Sequence, residues 1–256
     1  LPKELDVPVV EAISPYNEQI AALDKQIGAQ YRRETLKDTS GASMMDPKTQ
    51  VSKIHQTSIL DASTKSFEAN LVFALCREYP NEYGEKIANI ALNAYVNQCG
   101  QATLAAAEAS RENGNSPNTV VSGAVAIVGK KMAEPAMDAA KALLSLFQFS
   151  KLSDPTGNYD YKEELNSAKS HKDILLAAND DTCADKMATC LAQDVQSIFI
   201  KFLLDFAKQE GCKPSTDAMI AAIWTTLGWG GLRSKKITKG TITRLPWYSR
   251  IYSTIV

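Results

Sequence analysis

The spacing of apolar residues is helical along most of the chain, up to Gly228. After Ser14-Pro15, a capping residue followed by proline, apolar side chains recur every three or four positions over residues 16–31. Asp46-Pro47 resembles a second helix start, and it predicts a helix that continues until Tyr79-Pro80, because proline disfavours helix in the residue before it. These patterns predict two long amphipathic helices in the N-terminal third of the chain.

Further helical patterns are separated by turn-forming residues. The linkers 113–118 and 153–158 are rich in Asn, Gly, Ser, Asp and Pro. The segment 182–210 is apolar around most of its circumference, so we expect it at the centre of a bundle. We expect an N-terminal helical region, 1–113, and a second region, 119–228, that continue as one bundle. Helices are predicted over 81–99, 119–131, 135–149, 161–178, 182–210 and 214–228.

The pattern changes after Gly228. Residues 235–245 alternate weakly around Lys239-Gly240, a dipeptide suited to a two-residue hairpin turn, and residues 248–256 are rich in β-formers. The glycines of 228–231 are interpreted as a flexible hinge. The predicted fold class is therefore mainly α, a multi-helix bundle with a short extended or β-like C-terminal segment over 229–256.

Charge is distributed unevenly between the bundle and this segment. The 256 residues carry a formal net charge of −1 and are 45% hydrophobic, which excludes a disordered chain. All 29 acidic residues lie at or before Asp217, so the chain before Gly228 has 22 basic and 29 acidic residues, a net charge of −7. The segment after it has six basic residues and no acid.

Large aromatic residues accompany these cations, and the combination predicts a binding surface. Cations interleaved with Trp and Tyr are typical of protein interfaces, of anionic membrane surfaces and of nucleic-acid sites. The negative bundle argues against nucleic acid as a partner, and the alternative to a binding surface is that the segment folds back on its own chain or on a sister subunit. The predicted partner-binding residues are Trp229, Arg233, Lys235, Lys236, Lys239, Arg244, Trp247, Tyr248 and Arg250.

The cysteines leave the compartment open. There are five, with no C-x-x-C pair, so zinc ribbons and thioredoxin-like motifs lose support. Cys183 and Cys190 could form a disulfide only if one of them lies outside a helix, because seven helical residues span about 10 Å. Buried reduced thiols are the alternative.

No catalytic, metal or cofactor motif emerges from the sequence. Residues 123–131 have a spacing that does not fit a phosphate-binding loop, and they lack its Mg²⁺-binding hydroxyl. His55 and His171 lie in polar surroundings, and we expect both at the surface. The acidic residues Asp180, Asp181 and Asp185 lack the order of a calcium loop. We therefore predict no cofactor and no metal.

These observations favour a non-catalytic, exported bacterial interaction or scaffold protein, such as a component of an envelope or secretion assembly or a toxin-neutralising binder. It would dock on another protein or a sister subunit in the periplasm or outside the cell, a cytoplasmic location being the alternative. A second hypothesis is a membrane-active protein or toxin that uses 218–256 on anionic lipid. The third is an enzyme whose site is assembled from scattered residues.

Overall fold

The computed structural model describes residues 43–45, 48–96, 100–177 and 182–256, and most of these residues are helical. The prediction of a mainly α bundle is confirmed. The predicted helix over 16–31 lies outside the described residues.

A small antiparallel sheet precedes the helices. Its strands, in spatial order, are β1 (Ser43–Met45), β2 (Ser52–Ile54) and β3 (Thr57–Ser58). His55 and Gln56 form the two-residue turn between β2 and β3, with φ angles of 46° and 80°. Positive φ at both positions is what a tight hairpin turn requires. The predicted helix start at Asp46-Pro47 lies outside the described residues, and the prediction that this helix continues through 52–58 is wrong.

Several helices begin at side-chain caps that satisfy free backbone amides. Ser66, Asn81, Ser197 and Ser215 each accept a hydrogen bond from an amide three residues further on. A 3-10 turn, Ala168–His171, joins the helices Lys162–Ser167 and Lys172–Leu175. The described helices are α1 (Ile59–Ala62), α2 (Phe67–Cys76), α3 (Glu82–Asn93), α4 (Gln101–Glu112), α5 (Pro117–Ala126), α6 (Lys130–Leu146), α7 (Lys162–Ser167), α8 (Lys172–Leu175), α9 (Thr182–Ala192), α10 (Ile198–Gln209), α11 (Thr216–Arg233) and α12 (Lys239–Ile255).

Two predicted helix boundaries are wrong. Helix α6 runs through Pro135 instead of beginning there. A proline in the second turn removes only one backbone hydrogen bond, and the buried side chains of Ala133 and Ala136 keep the helix packed. The predicted single helix over 182–210 is instead two helices, α9 and α10. They separate before Ser197, whose side chain caps α10.

Helix α11, rather than the segment 182–210, occupies the centre of the bundle. It packs against α3, α6, α9, α10 and α12, and nearly every side chain from Ala218 to Thr226 is buried. Trp224 is fully buried and donates from its indole Nε1 to Ser249 Oγ at 2.9 Å. Because these residues form the core, the start of the segment 218–256 is not available to contact lipid, which contradicts the second hypothesis at this point.

The C-terminal segment is a helix and not the predicted extended tail. Thr238 and Thr241 form a capping box that starts α12, and Ile242 and Leu245 are buried against the bundle. A single cluster of buried side chains includes residues from both predicted helical regions and from α12.

Residues 228–231 are also not a hinge, since α11 continues to Arg233. Within the described part of the chain, no helix is long and apolar enough to cross a membrane.

Candidate functional site

The turn between α11 and α12 carries most of the unpaired positive charge at this end of the chain. Arg233 ends α11, and Lys235 follows with φ +60°, in the left-handed region. The amide of Lys236 donates to the carbonyl of Gly231 at 2.8 Å, and the buried side chain of Ile237 anchors the far side of the turn. The turn is therefore held firmly to the bundle while its cations point to the surface.

Three of these cations line a pocket of about 240 Å³ between the end of α6 and the α11–α12 turn. We call it the cationic pocket. Its floor is apolar and rigid, because Phe147 and Trp229 are both nearly fully buried and both pack edge-on against Phe199, with ring centroids 4.9 and 5.0 Å away. The lining residues are Leu144, Phe147, Gln148, Trp229, Leu232, Arg233, Lys235 and Lys239.

The cations of the cationic pocket have no acidic partner among the described residues. Arg233, Lys235 and Lys239 are all exposed and form no ion pair there, whereas Lys236 pairs with Glu78 at 3.0 Å. The first turn of α12 adds the partial positive charge of a helix N-terminus beside Lys239. Cations around an apolar floor suit an anionic ligand that also has an apolar part.

The structure separates the nine predicted partner-binding residues into distinct places. Arg233, Lys235 and Lys239 converge at the rim of the cationic pocket. Trp229 lies beneath them, 4% exposed, and its indole Nε1 donates to the Leu152 carbonyl at 3.0 Å. The prediction that Trp229 contacts a partner directly is therefore wrong, because its ring belongs to the core.

The remaining predicted residues do not line this pocket. Arg250 lies over the Tyr95 ring, with Cζ 3.3 Å from the centroid, and pairs with Asp217 at 3.4 Å. Burial raises the pKa of the Tyr95 phenol, and the Asp217 carboxylate, to which that phenol donates a hydrogen bond, raises it further. Lys236 is held by Glu78. Trp247 is half-buried, and Arg244 and Tyr248 are exposed on α12.

No cysteine or histidine that the structure describes lines this pocket. Cys183 and Cys190 lie seven positions apart in the same continuous helix, α9, too far apart for a bridge, and Cys190 is a free thiol, so the possible disulfide between them is not formed. His55 is half-buried, with Nε2 2.7 Å from the Ala74 carbonyl oxygen, which corrects the prediction that it lies at the surface. Asp185 pairs with Lys213 at 2.8 Å. Asp180 and Asp181 lie outside the described residues.

A second, polar concavity lies at the start of α3. It has a volume of about 450 Å³ and adjoins a smaller one lined by Glu78 and Gly230. Tyr83 lines both, and its phenol oxygen accepts a hydrogen bond from the Ser197 amide at 3.2 Å. Burial raises the pKa of this phenol. The walls of these two concavities carry more carboxylates than cations, so both are poorer sites for an anion than the cationic pocket.

Sequence reasoning identified the cations but missed the floor of the pocket. Leu144 lies in α6, and Phe147 and Gln148 directly follow that helix, more than 80 positions before the turn that carries the cations. No local pattern joins two segments so far apart.

Among solved structures, the chain is similar to citryl-CoA lyase from Hydrogenobacter thermophilus. The TM-score is 0.54 and the sequence identity 18%, with 84% of this chain and 86% of that chain covered. At this identity the likeness shows the fold alone. No protein-family model and no curated protein sequence matches the chain.

This likeness corrects the functional prediction. A non-catalytic scaffold was expected, with an enzyme as the less favoured alternative, yet the fold is one that an enzyme uses. An enzyme whose site is assembled from scattered residues fits the finding better. The residues that line the cationic pocket come from α6, α11, α12 and the segments that follow α6 and α11.

Proposed function

We propose that the protein is an enzyme that binds a phosphorylated, partly apolar substrate of the coenzyme A thioester class in the cationic pocket. The observation that carries the proposal is the set of three cations, without acidic partners among the described residues, around a floor of buried aromatic rings. The similar solved structure is named as a lyase of citryl-CoA, which is such a thioester. Charge and fold therefore support the same ligand class.

Each lining residue has a role that follows from its chemistry. Arg233 can bind a phosphate through two parallel N–H donors, whereas Lys235 and Lys239 act as compact positive charges. Leu144, Leu232 and the aromatic floor accept the apolar part of the ligand. A volume of about 240 Å³ is smaller than a typical site for a whole drug-sized ligand, so the pocket holds one part of the substrate and the rest lies across the neighbouring surface.

Calorimetric titration of the full-length protein with free coenzyme A tests the binding step. We expect the double variant Lys235→Met, Lys239→Met to weaken binding on the order of tenfold, because each lost charge-assisted contact costs about 1 kcal/mol or less at an exposed site. The control is Lys208→Met, which removes an exposed cation from α10. Equal affinity in the double variant and the control, or no binding to the parent protein, would overturn the proposal.

The catalytic step is tested by incubating the protein with acyl-CoA thioesters, citryl-CoA among them, and measuring released acetyl-CoA or free thiol. We expect product formation that decreases in the same double variant and persists in Lys208→Met. If the protein binds these thioesters but converts none of them, it is a binding protein, and the proposal that it is an enzyme is contradicted.

The compartment and the protein partner stay predictions. Cys76, Cys190 and Cys212 are free thiols, which favours a reducing compartment over the predicted export. Docking on another protein or a sister subunit stays a prediction too, and Arg244 and Tyr248 are the exposed residues on α12 that it would use.

A further inference from the structure

The carboxylate of Glu78 reaches the cationic turn from a distant part of the chain. Glu78 lies in the loop between α2 and α3, and its Oε1 accepts hydrogen bonds from Ser234 Oγ at 3.1 Å and from Lys236 Nζ at 3.0 Å. These two residues are the immediate neighbours of Lys235, which lines the cationic pocket. The Glu78 carboxylate therefore binds the residues on both sides of Lys235, which is one of the cations of the cationic pocket.

The central helix leaves space for this carboxylate by having a glycine beside it. A Cβ atom at Gly230 would lie 2.1 Å from Glu78 Oε2, far inside van der Waals contact. Any side chain there would displace the carboxylate from the turn. The close approach of Glu78 to α11 thus depends on glycine at position 230.

The backbone at Lys235 needs such support. A residue other than glycine with φ +60° is in a sparsely populated conformation, which persists only when its surroundings hold it. The turn is held by its own amides, with Lys235 N donating to the Leu232 carbonyl at 3.1 Å. Glu78 adds the side-chain contacts that fix the turn relative to α2.

We propose that Glu78 is a positioning residue for the cationic pocket, holding the 234–236 turn so that Lys235 and Lys239 face a bound anion. This inference rests on the proposed function for its ligand, because it assumes that the pocket takes an anion. Glu78 itself does not line the cationic pocket; it lines the smaller concavity beside Gly230.

The sign of the effect on affinity distinguishes positioning from simple electrostatics. Glu78 is a negative charge close to an anion site, so its removal would strengthen anion binding if charge alone mattered. If Glu78 positions the turn, Glu78→Ala weakens binding despite removing a negative charge. Glu78→Gln keeps an acceptor oxygen for Ser234 and Lys236 and loses the charge, so it retains or exceeds the parent affinity.

The test titrates full-length parent, Glu78→Ala and Glu78→Gln with free coenzyme A. The matched control is Glu210→Ala, since Glu210 accepts from Lys172 Nζ at 2.8 Å in a comparable ion pair that lies outside the pocket. We expect Glu78→Ala to bind several-fold to tenfold more weakly and the other variants to stay within about twofold of the parent. Binding by Glu78→Ala that equals or exceeds the parent overturns the inference.

Amide hydrogen exchange without ligand separates this inference from the proposed function. We expect faster exchange at the amides of Lys235 and Lys236 in Glu78→Ala, and parent-like exchange in Glu78→Gln and Glu210→Ala. If the parent binds no coenzyme A, the proposed function fails and exchange alone decides whether Glu78 holds the turn. Unchanged exchange in Glu78→Ala overturns the inference in either case.

Discussion

The size of a single residue, Gly231, decides how closely α11 approaches the end of α2. A Cβ atom there would lie 2.3 Å from the Cys76 carbonyl oxygen and 3.2 Å from Ile237 Cγ1. Because the first contact is with backbone, relief requires the helix to move. We expect Gly231→Ala to lower the free energy of unfolding by about 1–3 kcal/mol, as overpacking in cores does.

Gly123 on α5 is the matched control for this substitution. It is also helical, but a Cβ there would meet nothing within 4 Å. Gly123→Ala should therefore stabilise the protein by about 0.4–1 kcal/mol, because alanine loses less backbone entropy on folding. Urea denaturation followed by circular dichroism measures both values. A Gly231→Ala variant as stable as the parent would contradict the close-packing explanation.

Residue identity alone was misleading at these glycines. The run 228–231 favours a flexible hinge when only local propensity is considered, because glycine weakens an isolated helix. In the folded chain, Gly228 lies where a Cβ would be 2.9 Å from Ile242 Cγ1, so the same residue type permits close helix packing. Which role applies depends on what lies opposite, and the sequence does not contain that information locally.

At the scale of elements, α12 is part of the core and not an appendage. Its Ile242 and Leu245 are buried against the bundle, and Ser249 accepts the hydrogen bond from the fully buried Trp224. Removing residues 239–256 would expose the apolar surface of the bundle that Ile242 and Leu245 cover, and it would leave the Trp224 indole N–H unpaired. We expect the truncated protein to lose cooperative thermal unfolding and to bind a hydrophobic dye.

The control for this truncation is a shorter one. Ile255 and Val256 are 52% and 71% exposed, so removing only these two residues should change the melting temperature little. Differential scanning calorimetry compares both truncations with the full chain. A sharp, parent-like transition after loss of 239–256 would show that α12 is dispensable for the core.

The predictability of the elements varied with the strength of their local signals. The helix starts at Asn81 and Ser215 could be predicted because a capping side chain acts over three residues. Helix α12 could not, since its threonines and tyrosines favour strand and Pro246 lies within it. Packing on α3, α6 and α11 overrides that propensity.

At the scale of the whole molecule, the uneven charge of the sequence is partly resolved within the chain. Lys236 and Arg250 pair with Glu78 and Asp217, acidic residues that precede the basic segment. The unpaired cations that remain at the α11–α12 turn surround the cationic pocket. The sequence could predict the charge separation, but not which cations would be neutralised, because that depends on where distant acidic side chains lie.

The same burial that builds the core makes the protein sensitive to alkaline pH. Burial, and then the Glu78 charge, raises the pKa of the Cys76 thiol from its ordinary 9.0 to about 12. For Tyr159, burial and then the hydrogen bond to Glu164 raise the pKa from 10.0 to about 12. In both cases the folded chain retains a proton that the unfolded chain releases.

The sign of the pH dependence follows from those raised pKa values. A group whose pKa is higher in the folded state contributes its full stability below the unfolded pKa and loses it as pH rises towards the folded one. We therefore expect the urea midpoint to fall between pH 9 and 12, the interval set by Cys76. Tyr159→Phe removes one group with a raised pKa, so its midpoint should fall less steeply above pH 10. The control is Tyr248→Phe at an exposed position, and the explanation is wrong if both variants decline as steeply as the parent.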